Sequence, residues 1–308
     1  MMSEPEKITS NTAPLRMNII GSGKLGRTLA RLFSDAGLVS IGGIYNRNIE
    51  SSQSAFEFIG AGRIINSIEQ LSSLPAELWM IATPDDVIHS SAEQLAKLSN
   101  INWQKTVAFH SSGLKTSAEL APLKKLGSLV ASAHPAHSFA NPERSLSSFT
   151  STVCTLEGDA LAIKNLDTLF RAIGGQTTTI KAEAKPLYHA ATVMASNYLI
   201  ALLSASETLL EKAGIDETLA SAILSPLMQQ SLKNGLTEGA VNALTGPIVR
   251  GDINTLQAHL KAIEQSAPDL RATYTSMGAQ ALKLAQQQGS LNQKELICIE
   301  QLFHANEK

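Results

Sequence analysis

Short apolar runs alternate with longer stretches of helical spacing over residues 16–182, a pattern that predicts a parallel sheet whose strands are joined by helical crossovers. The first strand is Arg16-Met-Asn-Ile-Ile, followed by a helix over Leu25–Ala36, a strand over Leu38–Asn46 and a helix over Ser51–Gly60. A short strand Arg63–Ile65 and a short helix Ser67–Ser72 come next. Glu77–Ala82 is apolar throughout, as a central strand covered on both faces would be. Thr83-Pro84-Asp85-Asp86 then leads into a helix over Val87–Leu98. Lys105–Phe109 and Leu129–Ala133 read as further strands, and Thr152–Leu156, Ala160–Ile173 and Gln176–Ile180 as a last strand–helix–strand unit.

From Ala184 onward the spacing is helical, with predicted stops at Gly214, Pro226, Gly235–Gly239 and Gly246-Pro247. Leu187–Ala213 is apolar on most of its faces and calls for cover from more than one small domain, either between domains or against a partner subunit. The expected organisation is a polar, disordered tail over residues 1–15, an α/β domain over 16–182 and a helical domain over 183–308.

The junction between the first strand and the first helix carries the sharpest motif, Gly21-Ser22-Gly23-Lys24-Leu25-Gly26. A glycine permits the tight turn off the strand, a second lets backbone approach a pyrophosphate, and a third brings the helix close to the sheet. The helix N-terminus then faces the phosphates. The same segment is one residue from a P-loop, but Arg27 stands where that pattern needs lysine. Asn46-Arg47 ends the second strand 20 residues past Gly26, where a dinucleotide fold places its ribose contact. With no acid at that tip and an arginine present, NADP is favoured over NAD; a solvated loop arginine is the alternative.

Composition narrows the class. The 308 residues are 44% hydrophobic and 17% charged, with a net charge of −2, which argues against a nucleic-acid partner or an anionic membrane surface. No apolar run is read as membrane-spanning, and residues 1–15 lack the apolar core of a signal peptide. Cys154 and Cys298 form no metal pattern and read as reduced thiols of a cytoplasmic protein.

Ligands of a doubly wound sheet lie beyond the carboxyl ends of its strands. Three such ends carry polar residues here: Thr83-Pro84, expected beside the cofactor or capping a helix; His110-Ser111-Ser112-Gly113; and His134-Pro135-Ala136-His137. The two strand-end histidines are expected to face one crevice. No carboxylate or cysteine joins them at ligand spacing, so no metal is expected. Ser112-x-x-Lys115 lacks the companion motifs of a hydrolase.

In the helical half, Lys185 and His189 are one turn apart and share a face, with Asn197 two turns further on. Lys185 is either a solvated first-turn residue or a proton donor to a carbonyl or imine. Leu244-Thr-Gly-Pro-Ile-Val-Arg250-Gly-Asp252 forms a shaped turn with a guanidinium suited to a substrate carboxylate.

These segments, together with Lys185-Pro-Leu-Tyr188-His189-Ala-Ala and Asn197-Tyr198, resemble a bacterial family of Rossmann-like NADP oxidoreductases whose C-terminal half is a domain of unknown function of the DUF2520 type. The family is similar to pyrroline-5-carboxylate reductase, the β-hydroxyacid dehydrogenases and coenzyme-F420-dependent NADP reductases. The resemblance implies an all-α C-terminal domain like that of 6-phosphogluconate dehydrogenase, serving dimerisation and substrate binding. It implies a homodimer that passes hydride between NADP(H) and a small, anionic carbonyl, hydroxy, imine or amine substrate. Lys185, His189, His110 and Ser111 would serve catalysis, and His134, Asn197, Arg250 and Asp252 the substrate. The β-hydroxyacid dehydrogenases have asparagine four residues after the helix-borne lysine; His189 departs from that pattern. A non-catalytic NADP sensor or scaffold and an F420-linked reductase are the competing readings.

Overall fold

The computed structural model describes residues 13–304. Most of the expected polar tail lies outside the described residues, and Leu15 already belongs to the first strand.

The N-terminal elements are β1 (Leu15–Ile20), α1 (Lys24–Asp35), β2 (Val39–Tyr45), α2 (Ile49–Ile59), β3 (Arg63–Ile65), β4 (Leu78–Ile81) and α3 (Asp85–Ala96). They continue with β5 (Val107–His110), α4 (Ala121–Lys124), β6 (Leu129–Pro135), α5 (Pro142–Ser148), β7 (Val153–Gly158), α6 (Ala160–Ala172) and β8 (Gln176–Thr179). All eight strands join one sheet in the order β3-β2-β1-β4-β5-β6-β7-β8, a doubly wound arrangement that reverses direction between β1 and β4. Neighbouring strands are parallel except β6 and β7, which run antiparallel, with His134 opposite Thr155. The doubly wound parallel sheet expected from the sequence is present, with this one antiparallel pairing within it. A strand's apolar pattern is the same in either direction, so only tertiary pairing reveals the reversal.

Apolar residues alternate along the strands, but both faces are covered, which is why β4 reads as a continuous run. Met17, Ile19, Leu78, Met80 and Phe109 pack on one face with Leu29 and Phe33 of α1 and Phe170 of α6. The Phe33 and Phe170 rings meet edge-on at 5.3 Å. On the other face Ile20, Trp79, Ile81 and Ala108 pack with Ile88 and Leu95 of α3. Each buried Leu, Ile or Phe contributes roughly 1.5–3 kcal/mol to holding these layers together.

The strand ends differ from the expected ones in a way that matters below. β5 and β6 run on through His110 and through His134-Pro135, so these histidines are strand residues and not the first loop residues after a strand. The α4 turn and α5 were absent from the sequence reading; α5 is started by Asn141, whose Oδ1 accepts from the Arg144 N–H, with Pro142 at its first position.

Compact units divide at Ala195/Ser196, inside α7 (Lys185–Lys212) and not near residue 182. The first turns of that helix belong to the α/β unit because Lys185 is bonded into it. The second unit contains the rest of α7, α8 (Glu217–Glu238), α9 (Ala240–Ala243), α10 (Ile253–Ser266), α11 (Arg271–Gln288) and α12 (Gln293–His304). Its core is Leu256, Leu260, Leu282, Ile299 and Phe303. Pro226 lies inside α8 and does not end it, correcting the predicted stop. By length and composition α7 is also apolar enough to cross a membrane, with a mean hydropathy of 1.3 over its most apolar window, contrary to the sequence reading.

Candidate active site

The glycine turn has the predicted form. Gly21 takes φ +81°, and a Cβ there would lie 2.8 Å from the backbone of Ala82 and Thr83 at the end of β4. A Cβ on Gly26 would lie 2.7 Å from the Gly21 carbonyl oxygen, whereas Gly23 faces open space. Ser22 is buried behind the turn. Its N–H donates to Asn46 Oδ1 (2.7 Å), and Asn46 Nδ2 donates to Ser22 Oγ (2.5 Å) and Ser52 Oγ (3.1 Å). Asn46 therefore braces the glycine loop.

Arg27 adds a second brace, from Nε to the Ser22 carbonyl (3.2 Å) and from Nη1 to Ser54 Oγ (3.0 Å). Lys24 and Arg47 are exposed at this edge, while Leu25 packs against the core. Pro84 precedes the first turn of α3. Thr83 Oγ1 and Ser111 Oγ are buried and lack a hydrogen-bond partner. Thr83 follows β4 and Ser111 follows β5, whose last residues Ile81 and His110 are paired, so each hydroxyl lies just past the carboxyl end of one of two neighbouring strands. Such groups cost roughly 1–3 kcal/mol each unless something else satisfies them.

Next to them the first turns of α7 meet β5 and β6. Lys185 is fully buried, its Nζ donating to Ser132 Oγ (2.7 Å) and to the Ser112 carbonyl (3.1 Å). Burial lowers its pKa, against the pull of Glu157 and Asp85. The expectation of a solvated first-turn lysine is thereby overturned. Ser112 Oγ donates to Asp85 Oδ2 (2.8 Å) and accepts from the Lys115 N–H (2.8 Å), which shapes the loop after β5.

His110 is fully buried as well: Nδ1 accepts from the Ser112 N–H (3.2 Å), so Nε2 carries the proton and donates to the Thr116 carbonyl (2.9 Å). Both ring nitrogens are committed to main chain, and burial lowers the pKa. His110 is thus held within β5 by main-chain groups on both of its ring nitrogens.

His134 does reach the edge. Its Nδ1 is 2.9 Å from Tyr188 Oη, and its ring meets Tyr188 and His189 edge-on at 5.6 and 5.7 Å. Burial first, then His189 and Lys185, lower its pKa to about 4. Gly113 lies beneath: a Cβ there would collide with His189 Nδ1 and come within 3.0 Å of His134 Nε2. The structure thus gathers His134, Lys185 and His189, and adds Tyr188, Ser132, Ser112 and Gly113, which the sequence reading gave no role. Their contacts span 53 to 73 residues, so no local spacing announces them.

Asn197, Arg250 and Asp252 belong to the second unit. Asn197 is exposed on α7. The Arg250 guanidinium is exposed and paired with Asp252 Oδ2 at 2.8 Å through both Nε and Nη2.

Comparison with known protein families finds two matches, the second of which begins within the sheet, at residue 152. Residues 1–135 match the model of a Rossmann-like domain and residues 152–281 that of a domain of unknown function, DUF2520. The first part of the chain is thus similar to Rossmann-like domains and the later part to DUF2520 domains. Protein TM1727 from Thermotoga maritima is 26% identical, with 88% of this chain and 98% of that one covered and a TM-score of 0.66. BF3122 from Bacteroides fragilis, a proposed NADP oxidoreductase, is 16% identical over 90% of this chain and 98% of that one, with a TM-score of 0.71. An imine reductase from Myxococcus stipitatus in complex with NADP+ is 14% identical over 92% and 98%, with a TM-score of 0.63. No curated protein sequence matches the chain. At these identities the last two establish a shared fold.

Proposed function

We propose that this protein is an NADP-dependent oxidoreductase acting on a small carbonyl or imine compound. The observation that carries the reading is that buried, unsatisfied hydroxyls on Thr83 and Ser111 end two neighbouring strands, Thr83 lying against a glycine turn that is open at Gly23. Nicotinamide dinucleotides offer a carboxamide for the hydroxyls and a pyrophosphate for the turn, so the residues present fit that group. Bound there, the cofactor would supply or accept the hydride. Arg47, exposed at the tip of β2, suits a 2′-phosphate. The solved relatives named above as an imine reductase and an NADP oxidoreductase support the reaction class.

The chain's own residues would bind, orient and protonate. Lys185 fixes the start of α7 to the ends of β5 and β6, and with both of its bonds internal it acts as an anchor. His189, half-buried beside Gly113, is the group positioned to hand a proton to the oxygen or nitrogen of the substrate as its carbon gains hydride. The exposed apolar residues of α7 and α8 support a homodimer, and two free cysteines suit a reducing cytoplasm.

Titration of NADPH and NADH by protein-to-nicotinamide energy transfer tests the proposal. Saturable binding that favours NADPH is expected, and Arg47→Ala should weaken NADPH binding roughly tenfold to hundredfold, the effect of one charged hydrogen bond. Failure of both cofactors to bind overturns the reading.

A further inference from the structure

A neutral imidazole offers one donor and one acceptor, and the partner of one nitrogen decides what the other can do. His134 Nδ1 faces Tyr188 Oη at 2.9 Å. Burial raises the pKa of this phenol, and the hydroxyl of Thr155, directly across from His134 on β7 and 2% exposed, pulls it down. A phenol that accepts from Thr155 turns its own proton to His134 Nδ1. The ring proton of His134 is then on Nε2, on the side of Gly113 and His189.

We propose that Thr155 and Tyr188 form a directed hydrogen-bond chain that locks His134 as its Nε2–H tautomer, so that it donates to the substrate atom that becomes negative during reduction. That atom is a carbonyl oxygen or an unprotonated imine nitrogen; a preformed iminium has no lone pair to accept. His134 thereby contributes polarisation, as neutral donors aimed at developing charge do. Hydride goes to the carbon from the reduced nicotinamide, which leaves oxidised; the C=O or C=N π pair moves to the heteroatom, and a proton from His189 completes the alcohol or amine. Tyr188 and Thr155 are positioning residues. Among the surrounding groups His189 and Lys185 on α7 oppose protonation of His134, and only Asp85 on α3 favours it. The substrate part rests on the reductase reading above; the tautomer does not.

The test is a long-range 1H–15N correlation spectrum of full-length protein labelled at histidine, with His134 identified by its loss in His134→Asn. The expected wild-type signal is that of an Nε2–H tautomer, and Tyr188→Phe, which keeps the ring but removes the hydroxyl, should convert it to a mixture. Where Tyr188→Phe does not fold by circular dichroism, Thr155→Val takes its place with the same expected change. A wild-type Nδ1–H signal, or a signal unmoved in the variant that folds, overturns the proposal. NADPH added to the wild-type sample separates the two claims. Absence of binding removes the substrate half with the reductase reading, whereas the Nε2–H signal alone upholds or refutes the chain.

Discussion

Replacing His134 by glutamine should make the protein more tolerant of acid. The imidazole ordinarily titrates at 6.5 and is held at about 4 in the folded chain, so the unfolded state binds the extra proton between those values. Stability then rises with pH across that window: the penalty is absent above the unfolded value and complete below the folded one. The separation corresponds to about 3 kcal/mol in all, of which about 2.5 kcal/mol has accrued at roughly pH 4.5. Glutamine keeps a donor near Nε2 and carries no proton equilibrium. Urea unfolding followed by Trp79 and Trp103 fluorescence reports on the α/β unit, where both rings are buried. Between pH ~7 and ~4.5 the wild type should lose about 2.5 kcal/mol more than His134→Gln, and the other acid-sensitive groups cancel in the difference. Equal losses in the two proteins would refute the claim that His134 is held neutral by its surroundings.

Two further outcomes follow from the same contacts. Gly113→Ala places a methyl group against the His134 and His189 rings, and overpacking of this kind costs roughly 1–3 kcal/mol, readable as a fall in melting temperature; an unchanged melt would show that the space is not filled by those rings. The α7–α8 groove, about 350 Å3 and lined by Leu199, Ile200, Leu203, Leu224, Met228 and Leu232, should close on a second copy, so sedimentation equilibrium should show twice the 32.8 kDa chain mass and Ile200→Lys should dissociate it. A wild-type protein that sediments only at the chain mass contradicts the dimer.

Much of the fold was legible because it is written locally. β3 has the predicted limits, and the glycine turn declared itself through Gly21, which takes the left-handed turn, and Gly26, which the Gly21 carbonyl approaches closely. Strand direction at β6–β7 was hidden, since antiparallel and parallel strands covered on both faces share one apolar pattern. The continuity of α8 was hidden too, because Pro226 signals a break and yet lies inside the helix.

At the site, residue types were readable and residue duties were not. His110 and His134 both end strands in the sequence, yet one is sealed by the Ser112 N–H and the Thr116 carbonyl while the other turns to Tyr188. Lys185 looked like either a surface residue or an acid; only the approach of Ser112 and Ser132, distant in sequence, shows it to be buried and hydrogen-bonded to them.

The central claim is that the carboxyl edge of β4 and β5 receives a nicotinamide cofactor. A crystal structure determined with NADPH tests it most directly. The account predicts the pyrophosphate over Gly21–Gly26 and the nicotinamide carboxamide within hydrogen-bond distance of Thr83 Oγ1 or Ser111 Oγ. NADPH bound elsewhere, with both hydroxyls still unpartnered, would contradict it.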